Sequence, residues 1–72
     1  MGIRQCFEFV GDGSDKYWKV ASQGSNVDFK WGRTGTSGQS ITKEFDSPAL
    51  AEKAALKKIN EKTREGYKQV PC

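Results

Sequence analysis

The sequence predicts an α+β domain: an antiparallel sheet of four to five strands with one helix packed on one face. Two observations carry this. As far as Phe45, short runs alternate apolar and polar residues between glycine-rich clusters, the period of half-buried strands. From Ser47 the composition shifts to Ala, Glu, Lys and Leu, and no glycine appears until Gly66. Strands followed by one helix segregate into sheet and helix layers.

The first strand spans Arg4 to Val10, with Phe7 and Phe9 on one side and Cys6 and Glu8 on the other. Gly11-Asp12-Gly13-Ser14-Asp15 ends it, because these residues accept positive φ and bond their own backbone. Lys16 to Ser22 alternates again and places Trp18 and Val20 on one face, which marks Trp18 as core. After Gln23-Gly24-Ser25-Asn26, a third strand runs from Val27 to Arg33, with Val27, Phe29 and Trp31 pointing one way and Asp28 and Lys30 the other. Thr34 to Gly38 forms a loop, and Gln39 to Phe45 reads as a fourth strand in which Ile41, Lys43 and Phe45 share a face.

Ser47 can cap a helix and Pro48 fits its first position, so the helix is expected from Pro48 to Arg64. Gly66 is its natural stop, with Lys62 and Arg64 in the last turn opposing the dipole. Ala51, Ala54, Ala55 and Ile59 form a stripe of mostly small residues that allows close approach to the sheet. Lys58 and Lys62 fall in or beside that stripe, so their stems are expected to pack while the ammonium groups reach water. Tyr67 to Val70 could add a fifth strand, ended by Pro71.

At 72 residues the chain is expected to be one domain over positions 1–72, with little room for an enclosed active site. An aromatic content of 11% excludes a disordered tail. No apolar run is long enough to cross a bilayer and no secretory leader is visible, so a soluble, intracellular, cytoplasmic monomer is expected. Cys6 and Cys72 lie near opposite ends without zinc-site spacing, and both are expected to be reduced and inert. Histidine is absent, which removes the commonest general base and metal ligand. No catalytic residue, metal or cofactor is therefore assigned. The net charge of +3 is modest, so charge placement matters more than the total.

Trp31-Gly32-Arg33-Thr34-Gly35-Thr36-Ser37-Gly38-Gln39 is the stretch best suited to binding. Indole can stack, guanidinium can pair bidentately with phosphate, and N–H groups near glycines can hold an anion. Each feature also has a plainer reading. The loop can be an ordinary hairpin, Trp31 can be a core residue beside Val27 and Phe29, and the helical Lys53, Lys57, Lys58 and Lys62 can be a solvated face interspersed with Glu52, Glu61 and Glu65.

In sequence order, the chain resembles the WGR domain family. The resemblance rests on Trp31-Gly32-Arg33, Lys16-Tyr17-Trp18-Lys19-Val20, Gly35-x-x-Gly38-Gln39, Phe45, and the Ala-rich helix ending at Gly66-Tyr67. It implies a central antiparallel sheet on one helix and nucleic-acid binding, as known for WGR domains of DNA-damage-responsive poly(ADP-ribose) polymerases. It implies an exposed Trp31 stacking on the sugar of a terminal nucleotide and Arg33 contacting the nearby backbone or a partner domain. Glu61-Lys62-Thr63 before Tyr67 is similar to the polymerases' acidic-Lys-Thr segment and nominates Lys62 as a phosphate contact. Ala55 and Lys58 depart from the larger apolar residues usual there, which implies looser helix packing.

The expected function is a non-catalytic module that grips DNA, with RNA as the alternative polymer, at ends, nicks or phosphates. Its expected contacts are Lys30, Trp31, Gly32, Arg33, Thr34, Gln39, Lys43 and Lys62. A protein–protein adaptor using the same Trp-Arg face is the competing expectation.

Overall fold

The structure is a computed structural model that describes residues 2–11 and 13–72. Its elements are β1 (Arg4–Gly11), β2 (Ser14–Gln23), β3 (Asn26–Arg33), β4 (Gln39–Glu44), α1 (Pro48–Arg64) and β5 (Lys68–Val70). The five strands form one antiparallel sheet in the order β4-β3-β2-β1-β5. The expected turn between β1 and β2 includes Asp12, which lies outside the described residues.

Period-2 alternation assigns the two sides of the sheet. Phe7, Trp18, Val20, Val27 and Phe29 are buried on the side that receives α1. Cross-strand pairs hold this core together. Phe7 opposes Trp18 and Val20 opposes Phe29, and the Trp18 ring sits 5.6 Å from Phe7 and 5.9 Å from Phe29. Ala51 and Ala55 are fully buried, so the small-residue stripe brings α1 down onto the strands, and Lys58 stands in solvent beside Glu61. Most contacts of α1 fall on β2 and β3, and outermost β4 is left with all six of its residues exposed.

Both helix ends form as their residues dictate. Ser47 Oγ accepts the Leu50 N–H at 3.2 Å, and Pro48 takes the first turn. At the other end Gly66 adopts φ 106°, the Tyr67 N–H donates to Lys62 O at 3.0 Å and the Gly66 N–H to Thr63 O at 3.1 Å. This paired closure, with glycine in the positive-φ position, is the Schellman motif. It turns Tyr67 under the helix end, where the ring is buried against Phe9 at 5.6 Å, and strand pairing resumes one residue later at Lys68. A Cβ at Gly66 would lie 3.0 Å from the Phe9 ring. Gly66→Ala is therefore expected to cost about 1–2 kcal/mol of unfolding free energy, read by urea denaturation.

One expectation is corrected. Cys6 and Cys72 are not free thiols: the antiparallel pairing of β5 with β1 sets Val70 opposite Cys6 and carries the chain end back over that strand. There the two cysteines form a disulfide with Cα atoms 5.3 Å apart. Wide spacing in sequence and a low cysteine density point to free thiols, but a sheet that pairs its last strand with its first cancels that spacing.

Candidate functional site

The Trp31 indole shares the helix-bearing side of the sheet with Trp18 and Phe29, yet it is 37% exposed. It lies toward the end of β3 and beside the outermost strand, so its side of the sheet is that of the core while its surface is exposed. The indole is oriented like a core residue but left open by the extent of α1.

Trp31 borders two hollows. One, of about 320 Å³, is lined by Trp18, Phe29 and Ile41 together with Lys43, Lys58 and Lys62. Ile41 is 46% exposed and directly opposes Phe29, so the apolar part of this lining is open. The second hollow, of about 230 Å³, is lined by Lys16, Arg33 and Tyr67 together with Trp31. Lys16 and Arg33 are cross-strand partners. Trp31 thus has cations on either side, with Asp15 also lining the second hollow.

Two of these cations are held over aromatic rings. Lys62 Nζ lies 5.3 Å from the Tyr67 ring and 5.9 Å from Trp18, while Lys16 Nζ lies 4.9 Å from Phe9 and 5.7 Å from Tyr67. Ring quadrupoles attract ammonium groups, so the two lysines are steered to the same buried tyrosine from different elements. Lys62 is half-buried along its stem and also approaches Glu65 at 3.7 Å; Lys58 pairs with Glu61 at 3.3 Å. Both pairs are solvent-facing and worth little, so an incoming phosphate can displace the acid.

The expected contacts divide by geometry. Trp31, Arg33, Lys43 and Lys62 surround the two hollows, and Gln39 is adjacent to them because it opposes Trp31. Lys30 does not join them: it alternates to the other side of β3, opposite Lys19. Thr34 and the loop after it are largely spent on their own structure. The Thr34 N–H donates to Asp15 O at 3.0 Å, the Thr36 N–H to Arg33 O at 3.0 Å and the Thr36 hydroxyl to Arg33 O at 2.7 Å. Tyr17, on the side away from Trp18, donates its hydroxyl to Thr36 O at 2.9 Å and draws the loop toward that side. Gly32 permits this, since a Cβ there would come within 2.7 Å of the Gly38 Cα. These bonds fit the hairpin reading of the loop rather than an anion cradle.

The sequence reasoning missed Lys16 and Ile41 as site residues and treated Tyr67 only as part of the motif. A usable signal existed. A two-residue turn at Gly24-Ser25 fixes the β2–β3 register and puts Lys16 opposite Arg33.

Comparison with known proteins places the same elements in a wider group. A family model described as the WGR domain matches residues 4–71. The Escherichia coli protein YehF is 43% identical over 61 residues, covering 85% of this chain and 22% of YehF. A second E. coli protein, YfeS, is 30% identical over 69 residues, covering 96% of this chain and 28% of YfeS. A crystal structure of a Bacteroides fragilis protein superposes with a TM-score of 0.92 at 39% identity, over 96% of this chain and 20% of that one. The chain thus spans 22% and 28% of the two curated relatives it matches.

Proposed function

The chain belongs to the WGR domain family, and from that premise we propose that it binds nucleic acid through the groove beside Trp31, recognising the phosphate backbone next to a strand end or nick. The family is non-catalytic and often associated with nucleic-acid binding. The observation that carries the reading is the exposed indole set between Arg33 and Lys16 on one side and Lys43, Lys58 and Lys62 on the other.

Stacking needs an uncovered face on the nucleic acid, and in a continuous duplex neighbouring base pairs cover the base faces except where the strand is interrupted. The flanking cations supply most of the affinity by releasing counterions from phosphates. If about three to four phosphates are neutralised, log K falls with log salt at a slope of roughly −3 to −4. Short blunt-ended duplex, nicked duplex and covalently closed circle, titrated at low salt, test this. Tighter binding to interrupted strands is expected, and equal affinity per base pair for the closed circle would sink the end-recognition claim.

Ile41 favours one competing reading, because an exposed apolar residue beside Trp and Arg also suits a protein partner. An adaptor predicts a shallower salt dependence and a partner retained after nuclease treatment.

A further inference from the structure

A second groove, of about 430 Å³, lies on the side of the sheet away from α1, and Arg4, Lys19, Lys30, Cys6 and Cys72 are among the residues that line it. Two features of the chain therefore meet in one place: cations in excess of acids, and the disulfide.

Lys19 and Lys30 lie directly opposite each other on β2 and β3, an arrangement that costs stability when nothing neutralises it. Among the described residues the ion pairs are Lys58–Glu61 and Lys62–Glu65, and neither relieves these lysines or Arg4. Asp28 also lines the groove and accepts the Thr42 hydroxyl, leaving a net positive lining. Lys19 is in register with Cys6, which sets it on the strand next to the sulfur, and its Nζ lies 5.4 Å from the Tyr17 ring on the same side of the sheet. Cys6 is buried, whereas Cys72 is exposed and open to attack.

We propose that this groove is a thiol-exchange site, in which Arg4, Lys19 and Lys30 draw an acidic low-molecular-weight thiol, of the carboxylated peptide-thiol class, onto the Cys6–Cys72 disulfide. The incoming thiolate attacks Cys72 Sγ, the Cys6–Cys72 bond breaks, and Cys6 leaves as a thiolate beside Lys19. A second thiolate attacks the mixed disulfide, releasing Cys72 as a thiolate and the small-molecule disulfide. Two thiols supply the two electrons, and the reverse steps re-form the link. Exchange rates depend on the attacking thiolate and on access, and nearby cations favour both the approaching and the leaving anion. This inference is independent of nucleic-acid binding, which uses the other side of the sheet.

The test is the reduction rate of the oxidised protein by three probes, normalised to thiolate concentration and intrinsic nucleophilicity: mercaptoethanesulfonate, 2-mercaptoethanol and cysteamine. At low salt the sulfonate is expected to exceed the neutral thiol by about 5-fold, the size of one close charge contact in water, and cysteamine to be slowest. Lys19→Gln with Lys30→Gln should collapse the ratio toward one, while Lys53→Gln on α1 leaves it unchanged. A ratio near one in the unaltered protein, or one that survives the double substitution, overturns the proposal. So does mass spectrometry showing two free thiols after air oxidation.

Discussion

Cys72→Ser, or reduction of the unaltered protein, is expected to lower unfolding free energy by about 2–4 kcal/mol. The link joins residues 66 positions apart. In the chain-entropy treatment, closing a loop of that size removes enough freedom from the unfolded ensemble to contribute roughly 4 kcal/mol, with native-state effects reducing the measured value. A small domain's core supplies only about 3–5 kcal/mol of net stability, so the disulfide rivals everything else. At roughly 4–8 °C per kcal/mol for a domain of this size, the melting temperature should fall by about 10 °C or more. Thermal melts with and without reductant measure this directly. A change under about 3 °C would mean that pairing of β5 with β1, and burial of Tyr67, already confine the chain end without the covalent link.

That disulfide also shows where the sequence stopped being legible. Alternation in Arg4 to Val10, Lys16 to Ser22 and Val27 to Arg33 located three strands, and Ser47-Pro48 with Gly66 located the helix, because each signal is local and has a local cause. Strand order is different. Nothing within three residues of Lys68 states that β5 returns to the far side of β1, and the meeting of Cys6 with Cys72 follows only from that return.

The candidate groove beside Trp31 was partly legible for the same reason. Trp31 and Arg33 stand in a recognisable run, while Lys16 reaches the site through strand register and Ile41 through the shortfall of α1 over β4. Lys30 is the converse case, on the side of β3 away from the Trp31 groove. Proximity in sequence to Trp31 nominated it, although the two-residue period of a strand sends neighbours to opposite sides.

Trp31→Ala is expected to weaken nucleic-acid binding by about 1–3 kcal/mol, a loss of roughly 5- to 150-fold, with a much smaller effect on folding. The indole is 37% exposed, and the buried centre of the sheet consists of Trp18, Val20, Val27 and Phe29 instead. Removing Trp31 uncovers the edge of Trp18 and part of Phe29 in the adjoining hollow, but it leaves no enclosed cavity. Large-to-small changes cost most where the surroundings cannot relax or fill with water. Trp18→Ala is the internal standard: its ring is buried against Phe7 and Phe29, so a loss of about 3–5 kcal/mol in folding stability is expected there. Fluorescence-anisotropy titration and a thermal melt on both variants separate the roles of the two indoles. If Trp31→Ala lowered the melting temperature as much as Trp18→Ala, Trp31 would be a core residue and the stacking assignment would fail. If it melted normally yet bound interrupted duplex with unchanged affinity, the cations alone would carry recognition, because phosphate attraction does not require the ring.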